Sequence, residues 1–325
     1  MKAGHLIFFA VLFVLAIGTL APPASLAQRY PDRPIQLVIP NVAGSSMDLG
    51  ARMIGTELEK TLGTKIIPNN RSGAGTVLGT DAVVRAKKDG YTLLYGDFSS
   101  ALIVAPILNP EIVHYDPSKD VEPLGLHFLF PNAFTVRGDS PWKTFRELID
   151  HAKKEPRKVR VSTMGVGSLP HFLLEMIQAN TGAQFNHVPF EGGESVITAV
   201  LGGHVEATFQ ALVRVKSHVD AGKMRILLIN IKMPAFPEIP TITELGYKQS
   251  LPVAGFGLYA PAGIPEEARS ILVPAIEKAV RNTKPKVDQL WGIIDYKTPS
   301  EQRKMWEEEY KKIYEIATRI GLRKP

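Results

Sequence analysis

Pro40-Asn41-Val42-Ala43-Gly44-Ser45-Ser46-Met47-Asp48 carries an apolar segment, Ile35-Gln36-Leu37-Val38-Ile39, into a helical pattern through a loop of small residues. The segment before the loop predicts a strand. Ala51, Ile54, Leu58 and Leu62, recurring at spacings of three and four, predict a helix that Gly63 stops and that Asp48 caps. Such a loop leaves backbone N–H groups free to hold an anion. The arrangement recurs later: Val159 to Ser162 reads as a strand, Thr163-Met164-Gly165-Val166-Gly167-Ser168 as the loop, and Leu169 to Asn180 as the helix. Two helix starts of this kind imply one ligand held between two lobes.

The first 27 residues have the form of an export signal. Lys2 supplies the positive end, Leu6 to Leu20 the apolar stretch, and Ser25-Leu26-Ala27 a small-x-small cleavage pattern, with Pro22 and Pro23 arguing against a membrane anchor. The mature chain is expected to begin at Gln28 and to act in the periplasm. With no cysteine anywhere in its 325 residues, the chain offers no lipid attachment point, disulfide or thiolate chemistry.

A formal net charge of +6 favours small anions mildly. The basic residues are scattered beside acidic ones, as at Lys153-Lys154 and Lys311-Lys312, so no nucleic-acid stripe is drawn. Eight histidines show neither His-x3-His nor His-Glu-x2-His spacing, which argues against a metal centre. Gly73-Ala74-Gly75-Thr76-Val77-Leu78-Gly79 has its third glycine one residue late for a dinucleotide fingerprint, so no cofactor is expected. Ser168 and His171 lack a nucleophile elbow and an orienting carboxylate, which leaves no enzymatic reading.

Along the rest of the chain, strands are predicted at Lys65 to Ile67, Tyr91 to Tyr95, Phe134 to Arg137, His204 to Phe209, Arg225 to Ile229 and Gly255 to Ala260. Helices are predicted at Gly73 to Ala86, Phe145 to Lys154, Gly193 to Leu201 and Ser300 to Ile320, with Trp306, Tyr310, Ile313, Ala317 and Ile320 on one face of the last. Thr241-Ile242-Thr243-Glu244 reads as a capping box opening a short helix. This alternation is that of an α/β protein with largely parallel sheets covered on both faces. Residues 28–130 and 255–325 would form lobe I and residues 131–254 lobe II, with two crossovers as the hinge.

Tyr30-Pro31-Asp32-Arg33-Pro34-Ile35, the Pro40 to Asp48 loop, Asn70-Arg71-Ser72-Gly73-Ala74-Gly75, Asp89-Gly90-Tyr91-Thr92-Leu93-Leu94 and Tyr115-Asp116-Pro117-Ser118-Lys119-Asp120 follow one another in a familiar order. They continue through His187-Val188-Pro189-Phe190, Leu201-Gly202-Gly203-His204-Val205-Glu206, Ile239-Pro240-Thr241-Ile242-Thr243-Glu244 and Ala260-Pro261-Ala262-Gly263. Each is weak alone; their order across the mature chain resembles the Bug (TctC-like) substrate-binding proteins of tripartite tricarboxylate transporters. The resemblance implies a periplasmic binding protein type II-like fold, with two α/β lobes around a ligand cleft. It also implies a monomer that takes a small carboxylate between the lobes and hands it to a membrane permease. Carried residue by residue, it points to Val42, Ala43, Gly44, Ser46 and Asp48 on lobe I and to Thr163, Gly165, Gly167, Ser168 and His171 on lobe II.

Ser99 lies at the expected cleft edge, Phe209 would supply apolar contact, and Gln210 stands where some relatives carry an Asp that can face a ligand amino group. A neutral amide pairs an ammonium less well than a carboxylate, so a mono-, di- or aromatic carboxylic acid is expected rather than an amino acid. Asp97, an anion near a bound carboxylate, must be protonated or turned away. Asn41, Ser45, Met47 and Glu191 also depart from the usual pattern. The same clamp could instead present its closed form to a membrane sensor kinase.

Overall fold

The computed structural model describes residues 30–166, 168–190, 193–319 and 321–323. The export signal at residues 1–27, Gly167 and Glu191 lie outside the described residues.

Strand β1 (Ile35–Ile39) leads into helix α1 (Ser46–Leu62), followed by β2 (Ile66–Asn70), α2 (Val77–Val84), β3 (Thr92–Asp97), two short helices α3 (Ala105–Leu108) and α4 (Pro117–Asp120), and the long strand β4 (Val121–Phe130). After Pro131 come β5 (Asn132–Arg137), α5 (Phe145–Lys154), β6 (Arg160–Thr163), α6 (Leu169–Thr181), β7 (Asn186–Pro189), α7 (Gly193–Leu201), β8 (Ala207–Ala211), α8 (Leu212–Asp220) and β9 (Met224–Ile229). The chain closes with β10 (Ala254–Pro261), α9 (Glu266–Gln289), β11 (Ile293–Lys297) and α10 (Pro299–Arg319).

These strands form two sheets, one ordered β11-β4-β10-β3-β1-β2 and the other β7-β6-β8-β5-β9. The protein is therefore α/β and two-lobed, but the sheets are mixed rather than largely parallel. β1 is parallel to β2 and β3, while β10 runs antiparallel to both β3 and β4. In the second sheet β6 is parallel to β7 and β8, and β5 is antiparallel to β8 and β9. β10 and β5, the strands that enter from the other lobe, run antiparallel to both of their neighbours, and β11 is likewise antiparallel to β4.

Helix α1 buries Ala51, Ile54 and Leu58 against the first sheet, and Gly63 ends it at φ +67 in the left-handed region. Its N-cap is Ser45, three residues earlier than expected, and Asp48 occupies the third helical position. Gly73 to Ala86 is not one helix: a 3-10 turn at Ala74–Thr76, with Gly75 and Thr76 at positive φ, precedes α2. Thr241 and Glu244 exchange the expected capping hydrogen bonds, yet they close only a turn. On α10 Trp306, Ile313 and Ala317 are buried and Tyr310 is exposed, while Ile320 lies outside the described residues.

Among the described residues no helix is long and apolar enough to cross a membrane. Inside the first lobe, His127 Nδ1 lies 2.8 Å from Tyr95 Oη and Nε2 lies 2.7 Å from Thr283 Oγ1. Thr283 donates its own proton to Val280 O, so its oxygen accepts from Nε2–H and Nδ1 accepts from Tyr95. Full burial pushes the His127 imidazole down to about 3.

Candidate functional site

The strand registers bring the two loops to adjoining edges. β1 lies parallel to β3, with Val38 opposite Leu94, so the Pro40–Ser45 loop leaves the first sheet beside Gly96 and Asp97. Asp97 pairs with Phe256, and Phe130 pairs with Ala254, so both interlobe crossovers leave that same edge. In the second sheet Ser162 lies opposite Thr208, and Asn132 opposite Ala211. The loop after β6 and the end of β8 therefore lie where β5 begins. Only Pro131 separates β4 from β5, which sets the carboxyl ends of β1, β3, β6 and β8 along the seam between lobes, the usual place for ligands in open α/β sheets.

In the first loop Val42, Ala43 and Gly44 are exposed, Ser46 is half-buried and Asp48 is buried. Gly44 adopts φ +77, where a side chain would strain the backbone. Not all of its N–H groups are free. Val42 donates to Asn41 Oδ1 at 2.8 Å, Gly44 to Asp48 Oδ2 at 2.9 Å, and Asp48 to Ser45 Oγ at 3.2 Å. The open donors are the N–H groups of Ala43, Ser46 and Met47, which meet no acceptor among the described residues.

Asp48 also accepts from Asn70 Nδ2 at 2.9 Å and from Arg52 Nε at 3.0 Å. Burial opposes its charge, but the bonds from Arg52, Gly44 and Asn70 together hold the carboxyl below the usual carboxylate range. Its observed role is to brace the loop, while Ser45 caps α1. Asn41 O receives Asn70 Nδ2 at 3.0 Å, so Asn41 and Asn70 complete a brace that helical periodicity could not reveal.

The second loop is more self-contained than expected. Ser168 caps α6, accepting from His171 N–H at 3.3 Å and donating its hydroxyl to Gly165 O at 2.8 Å; its N–H reaches the same carbonyl at 3.4 Å. Pro170 has no N–H, which leaves Leu169 as the open donor of this helix start among the described residues. Gly165 sits at φ +103. Thr163 is fully buried, with Oγ1 at 2.7 Å from His187 Nε2. His171 stacks on His187 with ring centres 4.2 Å apart. Burial first, and the neighbouring His187 second, push His171 down to about 4; burial alone lowers His187. His187 escaped sequence reasoning because its place beside Thr163 depends on β6 pairing with β7.

Ser99 is buried; its N–H reaches Asp97 Oδ1 at 2.8 Å and its hydroxyl reaches Val253 O on the second crossover at 3.3 Å. Asp97 also accepts from Ser100 Oγ at 2.7 Å, and burial outweighs these bonds to raise its carboxyl. Residues Ser100–Val104 form a π turn, whose loosened carbonyls at Ala101 and Leu102 are taken by Tyr115 Oη and Trp306 Nε1.

Phe209, expected to supply apolar contact, packs into the second sheet's core. It is fully buried with its ring 5.8 Å from Phe134, its cross-strand partner, and belongs to the core. Strand alternation turns Gln210 to the other face. There Oε1 accepts the Ala211 N–H at 2.9 Å, and Nε2 is buried without a hydrogen-bond partner among the described residues.

Among the described residues no three His, Cys, Asp or Glu side chains gather as metal ligands. Two surface depressions lie away from the seam. One of about 230 Å³ is lined by Arg52, Thr56, Glu59 and Pro68, and one of about 360 Å³ by Arg33, Lys87, Asp89 and Tyr91.

The profile of the tripartite tricarboxylate transporter family receptors matches residues 50–322. The chain is 33% identical over 273 residues to protein BugT of Bordetella pertussis, covering 83% of each chain. Its fold superposes on the periplasmic binding protein BugD with a TM-score of 0.80 at 26% identity, over 91% of this chain and 100% of that one. It superposes on Rpa4515 of R. palustris, solved with adipate, with a TM-score of 0.80 at 25% identity, over 90% of this chain and 98% of that one.

Proposed function

The chain belongs to the tripartite tricarboxylate transporter receptor family, and from that premise we propose that it is a periplasmic solute-binding protein without catalytic activity, which captures a small carboxylic acid between its lobes and delivers it to the family's membrane permease. The observation that carries this reading is the pair of helix starts on the seam. Ala43, Ser46 and Met47 offer open N–H groups on one side and Leu169 on the other. A carboxylate at such termini gains about 0.3–2 kcal/mol from each helix dipole, and bridging water extends the reach of the donors at small cost. No arginine clamp is needed.

The ligand is a plain mono-, di- or aromatic carboxylate. Gln210 brings a neutral amide to the end of β8, and its unpaired Nε2 is a donor that suits a carboxylate oxygen better than an ammonium. The adipate held by Rpa4515 is an acid of this class. Binding closes the lobes, excludes bulk water and strengthens the polar contacts, and the protein acts as a monomer.

A thermal-shift screen across mono-, di-, tri- and aromatic carboxylates, followed by calorimetry, tests the reading. At least one plain carboxylate should raise the melting temperature saturably. Tight binding of aspartate or glutamate with no response to the other acids would overturn the ligand class. Loss of labelled-acid uptake in a strain lacking the gene supports transport; intact uptake with lost gene induction would overturn it in favour of sensing.

A further inference from the structure

Trp291 lies between α9 and β11 on the first lobe, with φ +57, a left-handed conformation that is costly for a bulky residue and is normally left to glycine. Such a conformation persists only where the surroundings hold it. What holds this ring comes from the second lobe and its crossover. Phe236, in the segment joining β9 to β10, has its ring centre 5.3 Å away, and Lys216 of α8 sets its ammonium 4.6 Å from the Trp291 centre and 5.6 Å from that of Phe236. Lys216 is paired with Asp220 and its side chain is only 14% exposed, so the cation meets the rings largely away from water. Trp291 and the adjoining Ile293 pack against the apolar cluster of the second lobe, beside Met233 and Phe236.

The sheet orders place this contact on the far side of the hinge from the two loops. In the first sheet the crossover strands β4 and β10 stand between β11 and the β3-β1 side that carries the first loop. In the second sheet β5 stands between β9 and the β8-β6 side that carries the second loop. Rotation about the crossovers that narrows the loop side must widen the side that holds Trp291.

We infer that Trp291, Lys216 and Phe236 form a latch behind the hinge that opposes closure, making them positioning residues that set ligand affinity without touching ligand. The inference rests on the reading that the lobes close on a carboxylate. Breaking the latch shifts the population toward the closed form and tightens binding by about tenfold, the scale of one desolvated cation–aromatic contact.

The test uses the full-length mature protein. Because the chain has no cysteine, Thr56→Cys on α1 and Thr198→Cys on α7, both exposed, provide a spin-label pair across the loop side. Trp291→Gly removes the ring and suits the left-handed backbone, so it separates loss of the latch from loss of fold. Lys216→Met removes the charge at similar length. In ligand-free protein both variants should shorten the label-to-label distance, and titration with adipate, malate and benzoate should give about tenfold tighter binding of whichever acid binds the parent. Unchanged distances with unchanged affinity, or longer distances with weaker binding, would overturn the latch. If none of these acids binds the parent, the wider carboxylate screen decides that reading, while the ligand-free distances still decide the latch.

Discussion

The Asn132 N–H donates to Asn230 Oδ1 at 2.8 Å, while Asn230 Nδ2 donates to Pro252 O at 2.7 Å, so one buried amide ties the two interlobe crossovers together. Replacing it strands two buried backbone groups. Asn230→Ala should cost about 2–4 kcal/mol in urea denaturation, on the scale of two unsatisfied groups, and Asn230→Asp should cost no less, because it buries a carboxylate and sets its second oxygen against the Pro252 carbonyl.

Asp48→Ala removes the acceptor shared by Gly44 N–H, Asn70 and Arg52. The exposed Arg52 loses little, but the loop loses its brace. Stability should fall by about 1–3 kcal/mol, and carboxylate affinity should fall with it in calorimetry, because Gly44 and its neighbours are no longer held in one geometry.

Stability should decline from neutral pH toward pH 5. His127 and His171 are held down to about 3 and about 4, below the ordinary value of 6.5, so the unfolded chain binds protons that the native state refuses. Their contribution is present above about pH 6.5 and is lost as pH falls toward those values, at about 1.4 kcal/mol per pH unit for each histidine. Asp97 acts in the opposite sense and lower: its raised carboxyl takes up a proton in the native state first. Urea midpoints at pH 7, 6 and 5 measure the slope, which His171→Gln should reduce.

Gln210→Leu removes a buried, unpaired Nε2 but strands the Ala211 N–H that Oε1 accepts, and because one unsatisfied donor replaces another the melting temperature should change little. Affinity for the bound acid should fall about tenfold, the scale of one hydrogen bond to a charged group. Unchanged affinity would remove Gln210 from the ligand's contacts.

Phe209→Ala should act on folding alone. Its ring fills the core against Phe134, so the loss should be about 3–5 kcal/mol in denaturant titration, with ligand affinity of the folded fraction preserved.

The legible parts of the sequence were those whose signals are local. Ala51, Ile54 and Leu58 announced the buried face of α1, and Gly63 its end, because helical periodicity and a left-handed stop lie within one segment. Ser45 and Asp48 are both good cap formers three residues apart, and only the backbone shows that the first caps while the second turns back to Gly44. β4 went unread because Pro123 and Gly125 interrupt its apolar run; its pairing with β10 tolerates both through irregularities in register. The packing of Phe209 is illegible for another reason. Its partner Phe134 lies on a strand far away in sequence, and alternation decides between Phe209 and Gln210 only once the sheet's core face is known.

The order in which the strands are joined also governs how the chain can be made. Every strand of the second sheet lies between Asn132 and Ile229, but β10, which begins at Ala254, must insert between β4 and β3 of the first. A chain that emerges amino end first completes its middle portion while the earlier portion still lacks a central strand. The facing edges of β3 and β4 stay unpaired until the last quarter of the polypeptide arrives, so this lobe is expected to be the later to fold and the more aggregation-exposed of the two.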